Sequence, residues 1–151
     1  MRKSVLVVLL ASLVALPLPA AKEQPKPQTM NGDAVVMTIG LDRIAVLLDT
    51  DKDKSIDQGF LLSSDLPVSS TSARCPSAKV EYTNSYVRLT YDSKVFDLYV
   101  AGYPEPPAPK KSKSMTRYVG YALQHSTGSS GCSVERAMKD AGACFKYGSN
   151  E

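Results

Sequence analysis

The segment Tyr86–Val100, YVRLTYDSKVFDLYV, does most to constrain the fold. Apolar residues fall at every second position on both sides of a short polar stretch, which is the period of a strand with one buried face. So few residues separate the two runs that the connection must be a hairpin. A centred register pairs Tyr91 with Phe96, Leu89 with Leu98 and Val87 with Val100, leaving Thr90 opposite Asp97 and Arg88 opposite Tyr99. It predicts a four-residue loop, Asp92 to Val95, built on a type I turn with Asp as a favoured first residue. Sliding by one residue would set Leu89 against Asp97, so the apolar pattern selects the face.

Upstream, AVVMTI, RIAVLLD and GFLLSS are short, β-branched runs punctuated by turn residues, with Gly40 between the first two. They read as strands. Residues 33–103 are therefore expected to form an antiparallel β-meander, with SSDLPVSSTSARCPSAK as a long connection rich in Ser and Pro. In YPEPPAPKKSKS, residues 104–114 read as a solvated Pro/Lys-rich connector in polyproline conformation; a peptide ligand for a partner groove, or a contact for anionic surfaces, is the other reading. Residues 115–151 begin with MTRYVGYALQH, where Val119, Tyr121 and Leu123 alternate as in a strand while Met115, Tyr118, Val119 and Ala122 have helical spacing. Gly120 at the centre favours the strand. Val134, Ala137, Met138 and Ala141 then fall on one helical face, with Ser133 as N-cap and Gly142 as stop. The expected fold is α+β: an antiparallel meander of about six strands, curled into a small barrel or sandwich, with one C-terminal helix packed on the same domain.

The first residues read as an export signal. Arg2 and Lys3 precede an apolar run to Leu16, then PLPAA, so residues 1–20 are expected to be cleaved near Ala20 or Ala21. The run is short of the ~20 residues of a spanning helix, so no membrane span is expected after cleavage. Residues 21–32, KEQPKPQTMNG after Ala21, read as a flexible leader. Cleavage leaves 16 basic against 15 acidic residues, and the formal net charge falls from +3 to +1. Such a balanced chain is not expected to bind nucleic acid. The expected location is secreted or periplasmic, where Cys75, Cys132 and Cys144 can form a disulfide. Nine helical residues between Cys132 and Cys144 would span ~14 Å, against ~7 Å for bridged Cα atoms, so the expected bridge joins Cys75 to one of the other two. Three free thiols is the alternative.

The stretch Asp49–Asp57, DTDKDKSID, places acids at alternate positions. It resembles the first nine positions of an EF-hand-type calcium loop, as in dockerin-like secreted modules; the resemblance covers residues 49–60 only. It implies a calcium ion held by the carboxylates of Asp49, Asp51 and Asp53, the carbonyl of Ser55 and a direct or water-mediated oxygen of Asp57, with Ile56 anchoring the loop. Lys54 stands where the family has a left-handed Gly, and Phe60 where it has a bidentate Glu. With two of about seven ligands missing, affinity is expected in the ~10⁻⁴ to 10⁻³ M class. The same residues also fit a solvated turn in which Lys52 and Lys54 offset the aspartates, and sequence leaves both readings standing.

Nothing in the chain reads as catalytic machinery. His125, the sole histidine, lies beside Ser126 without a G-x-S-x-G elbow, and no C-x₂₋₄-C spacing points to zinc. There is no Trp to platform a sugar and no phosphate-cradling glycine loop. The expected function is an exported, non-catalytic structural or binding module with a weak calcium site and a protein partner in the envelope or outside the cell. A secreted regulator or inhibitor of a partner protein, acting through exposed loops, is the alternative.

Overall fold

In the computed structural model, residues 26–127 and 131–145 are described. The expected export signal lies outside them. Eight strands form one sheet: β1 (Gln28–Ile39), β2 (Arg43–Asp49), β3 (Gln58–Ser63), β4 (Ser72–Tyr82), β5 (Tyr86–Tyr91), β6 (Lys94–Val100), β7 (Ser114–Gly120) and β8 (Ala122–Thr127). A short helix, α1 (Val134–Lys139), and a 3₁₀ turn, Ala141–Ala143, follow. The order across the sheet is β7-β6-β5-β4-β1-β2-β3-β8. All neighbours are antiparallel except β6 and β7, which are parallel, so the sheet is mixed and not the purely antiparallel meander expected. The parallel pair arises because the proline segment carries the chain back to the start of β6 before β7 begins.

Alternation along the strands divides the apolar residues between two faces. Val36, Ile44, Val46, Leu48, Phe60, Leu62, Val80, Val87, Leu89, Leu98 and Tyr118 belong to one cluster. It draws on every strand, so the sheet curls around it. Each fully buried Leu or Phe here is worth about 1.5–3 kcal/mol relative to exposure. The two edge strands β7 and β8 are joined through Tyr121 alone, and their shared corner is pinned where Tyr121 N–H donates to Ser63 O at 2.8 Å. A Cβ on Gly120 would collide with that same carbonyl, so this corner requires glycine. The ladder does not close between β7 and β8.

The outer face is covered in two places. Over β1–β3, Val35, Ala45, Leu47 and Leu61 pack with Ile56, Cys132, Val134, Ala137, Ala141, Cys144 and Phe145 of the loop and C-terminal segment. Over β5–β7, the proline segment lies on a polar patch: Pro106 is buried and Pro107 O accepts from Arg88 Nη1 at 2.7 Å. The segment read as a solvated connector is thus partly packed.

Three further expectations change. Strand β1 starts at Gln28, inside the segment read as leader, because Gln28–Gly32 pair with Ala78–Tyr82 of β4. Strand β4 occupies much of the supposed connection; Pro76 is tolerated there at a bulge, where Ser77 has φ 53° and its N–H turns to Asp33 Oδ1. The β5–β6 register is displaced by two residues, pairing Tyr91 with Lys94, Leu89 with Phe96 and Arg88 with Asp97. Its loop is Asp92-Ser93, both at positive φ (43° and 61°), as a two-residue hairpin turn of the twist-matching kind demands. A shift of two preserves the buried face.

The disulfide is also not the one expected. Cys132 is joined to Cys144, with Cα atoms 5.3 Å apart. The helix between them ends at Lys139; Asp140 is extended (φ −155°, ψ 92°) and its carboxylate accepts from Gly142 N, turning the chain back on itself. Ser133 caps α1 as expected, accepting from Arg136 N–H. Cys75 is a buried free thiol in β4. It points into the inner cluster, whereas Cys132 and Cys144 lie on the outer face, so the sheet itself stands between them.

Candidate metal centre

The acidic loop leaves β2 at Asp49 and enters β3 at Gln58. Asp49 sits at the end of β2 on the same face as Leu47, which turns its side chain toward the C-terminal segment. Gly32 of β1 approaches the Asp49 carbonyl so closely that a Cβ would collide with it, fixing where the loop departs. Asp49 is 2% exposed. Its Oδ2 accepts from Lys54 N–H at 2.9 Å, while Oδ1 is buried with no hydrogen-bond partner among the described residues.

Within the loop, Asp51 Oδ1 accepts from Asp53 N–H (3.1 Å) and Asp53 Oδ1 from Ser55 N–H (2.7 Å), the Asx pattern that lets short acidic residues tighten a backbone. Asp57 Oδ2 accepts from both Thr50 N–H (2.6 Å) and Thr50 Oγ1 (2.7 Å) across the loop mouth. Lys52 and Lys54 have φ of 64° and 73°. Lys54 thus adopts the left-handed conformation that the resemblance reserves for Gly, despite its Cβ. The Lys52 ammonium donates to Ser77 Oγ at 3.1 Å.

One carboxylate oxygen from each of Asp49, Asp51 and Asp57 lies within 4.8 Å of the others. The ion pairs described for the chain lie elsewhere: Arg43–Asp42, Lys79–Glu81, Arg88–Asp97, Arg117–Asp97 and Arg117–Glu105. Of the five residues singled out from sequence, the fold therefore brings three carboxylates together. Asp53 is outside this group, and Ser55 forms an isolated bridge with Ser133. Phe60, at the place of the bidentate acid, is fully buried in the inner core and supplies no ligand.

A cation fits this constellation on electrostatic grounds. Three carboxylates held together repel one another, and a buried oxygen without a partner bears a desolvation cost that a cation removes. Oxygen-only donors suit a hard ion such as calcium or magnesium over zinc or copper.

His125 lies elsewhere, on β8, with its ring stacked on Phe60 at 4.6 Å and 5°. Tyr82 is tilted against both rings, and Gln28, Thr83, Asn84 and Leu123 complete a cavity of about 340 Å³. His125 Nε2 is hydrogen-bonded to Gln58 Oε1 at 3.0 Å. Partial burial lowers its pKa from the ordinary value. Ser126, the next residue on the strand, projects to the opposite face. The features that sequence reasoning did not single out are the buried bidentate pair of Arg88 Nε and Nη2 with the two Asp97 oxygens, both at 2.8 Å, and the Arg117 beside it. Opposite charges facing one another across a hairpin were the available signal.

Comparison with known proteins yields no match: no family model, curated protein or solved structure is similar to this chain.

Proposed function

We propose that the chain is an exported, non-catalytic binding module whose acidic loop holds a calcium ion. The observation that carries this reading is the convergence of Asp49, Asp51 and Asp57 around a buried Asp49 oxygen that has no protein partner among the described residues. On this reading the curled sheet is a barrel-like scaffold, and the ion stiffens the β2–β3 loop against the C-terminal segment. No helix among the described residues is long and apolar enough to cross a membrane, and the Cys132–Cys144 disulfide is consistent with an oxidising compartment. The non-catalytic reading is supported by His125, whose Nε2 is engaged by Gln58 and whose neighbour Ser126 faces away. The test is calorimetric titration of chelator-treated protein: calcium binding with a Kd of ~10⁻⁴ to 10⁻³ M is expected, and no heat of binding up to tens of millimolar would remove the site. Intact mass from the native compartment, beginning near Ala21 or Lys22, tests export.

A second reading, a regulator of a partner protein, has its own support. Leu41 and Leu66 are 79% and 73% exposed on two loops joined by Val68 N–H to Leu41 O and Ser64 N–H to Asp42 O. They make a paired apolar tip, the kind of anchor that buries on association. Leu41→Ser with Leu66→Ser should then abolish partner capture without changing the melting temperature.

A further inference from the structure

The acidic loop does not rest on the sheet alone. Lys54 O accepts from Val134 N–H at 3.0 Å, and Ile56 N–H donates to Cys132 O at 2.8 Å. Ser55 and Ser133 form the antiparallel bridge between these two bonds. The far side of the loop is thus paired, residue for residue, with the chain that carries one half of the disulfide. Ile56 adds an apolar anchor, 2% exposed, in the cluster that includes Cys132, Val134 and Cys144.

This pairing bears on the carboxylates directly. Lys54, whose carbonyl is clamped by Val134, is the residue whose N–H holds Asp49 Oδ2. It also stands at φ 73°, and Lys52 at φ 64°. Left-handed backbone at non-glycine residues persists only where the surroundings over-determine it. Here the determinants are the Asx bonds inside the loop, which come from Asp51 and Asp53, and the clamp outside it. The clamp in turn is held by α1 and the Cys132–Cys144 bond, which closes a short loop of sequence separation 12. A helix of six residues has little stability of its own.

We infer that the acidic loop is a redox-gated cation site: the Cys132–Cys144 disulfide holds the clamp on Lys54 and Ile56, so its reduction weakens cation binding and a bound cation opposes its reduction. The inference rests on the calcium reading above. Reduction by a dithiol is balanced within the two partners. One reductant thiolate attacks the sulfur of one cysteine, the S–S bond breaks and the other cysteine leaves as a thiolate; the second reductant thiolate then attacks the reductant sulfur of the mixed disulfide and releases the first cysteine, forming the reductant's own disulfide. Two electrons pass to the protein, and two protons end on Cys132 and Cys144. Cys75 takes no part, because it is a buried free thiol on the other side of the sheet. Linkage makes the effect reciprocal: any factor by which oxidation tightens the ion is the factor by which the saturating ion favours the disulfide. A tenfold change in affinity corresponds to about 30 mV in the two-electron potential.

Calcium titrations of the full chain, oxidised and then reduced with a dithiol, provide the test, with Cys132→Ser/Cys144→Ser as the irreversible counterpart. The oxidised protein should bind about tenfold more tightly than either, consistent with ordinary coupling energies, and saturating calcium should raise the dithiol concentration needed for half-reduction. Equal affinity in oxidised and reduced protein that retains its far-ultraviolet β spectrum would overturn the gating while leaving the calcium site standing. If the oxidised protein binds no calcium, the calcium reading fails and the gating with it. Should the reduced chain lose its sheet, Val134→Pro decides the question with the disulfide intact. Proline is accepted at the first position of a helix, and Ser133 before it is already extended, but the N–H to Lys54 O is gone. A tenfold loss of affinity in this variant is expected, and unchanged affinity overturns the proposal.

Discussion

Asp97 and Asp49 are both buried carboxylates on the outer face of one sheet, 0% and 2% exposed, and the protein treats them in opposite ways. Asp97 receives Arg88 Nε and Nη2 in a bidentate fork, with Arg117 Nη2 at 3.7 Å from Oδ2. Arg117 is itself over the Tyr99 ring at 5.4 Å and paired with Glu105 of the proline segment at 2.6 Å. Asp49 has one N–H on Oδ2, nothing among the described residues on Oδ1, and two further carboxylates beside it. In the first patch both carboxylate oxygens of Asp97 face guanidinium groups of the chain, and the atom left without a hydrogen-bond partner among the described residues is a cationic one, Arg117 Nε. The other has excess negative charge on a loop where Lys52 and Lys54 stand at positive φ, which is why only the second reads as a site for a cation from outside.

The largest effect should come from breaking the first patch. Asp97→Ala leaves the Arg88 guanidinium buried with only Pro107 O as a partner, and removing one member of a buried pair costs about 3–5 kcal/mol. Chemical denaturation should report a loss of that order. Alkali offers no substitute for the mutation: the Asp97 hydrogen bond raises the Arg88 pKa above its ordinary value. A cation with a raised folded-state pKa contributes stability that is complete below the ordinary arginine range and is lost only as pH climbs through the folded value.

Asp49→Asn should behave in the contrary sense. In chelator it relieves repulsion in the loop, so stability should be unchanged or slightly higher. In calcium it should forfeit the stabilisation of the parent protein, which at ~1 mM ion and a Kd of ~10⁻⁴ M is roughly 1.4 kcal/mol, or about 2–6 °C in melting temperature. Asp51→Asn should do the same. If Asp49→Asn destabilises the ion-free protein as heavily as Asp97→Ala does, the carboxylate is a structural partner and the contrast between the two patches collapses.

Much of this contrast could not be read from sequence, and the reasons differ from residue to residue. The apolar alternation of β1, β2, β3, β5 and β6 was legible because each has a core-facing set. The partner of Arg88 was not, since two registers differing by two residues bury the same face, and what chooses between them is the conformation of Asp92 and Ser93. Strand β4 was hidden because Pro76 and the serines around it belong to a bulge, whose composition resembles a loop. The bridge of Cys132 to Cys144 depended on where α1 stops, and Asp140 ends it two residues before the Gly that looked like the terminator. In the acidic loop, alternate spacing marked the acids, but the burial of Asp49 and the clamp from Cys132 and Val134 are tertiary facts.

A smaller effect is expected from the imidazole on β8, away from both patches. Burial lowers the His125 pKa, so its neutral ring contributes stability that is present above the ordinary histidine range and lost as pH falls through the folded value. Comparing stability at neutral and mildly acidic pH in His125→Gln should show a flatter dependence than in the parent. If His125→Gln leaves the slope unchanged, the imidazole is solvated in practice and its burial contributes nothing to the pH dependence.

The smallest expected effect tests which acids make up the open patch. The resemblance to a calcium loop gives Asp53 a ligand's role equal to that of Asp51, whereas in the fold Asp53 lies outside the group formed by Asp49, Asp51 and Asp57, with Oδ1 bonded to Ser55 N–H. Asn can accept that same bond through its amide oxygen and keep the Asx turn. Asp53→Asn should therefore change calcium affinity only by the loss of one nearby exposed charge, which screening keeps small, within about threefold. Asp51→Asn removes a member of the group and should cost tenfold or more. Equal losses in the two variants would mean that the ion draws Asp53 inward, giving four carboxylates around it, and that the loop of the ion-free chain rearranges on binding.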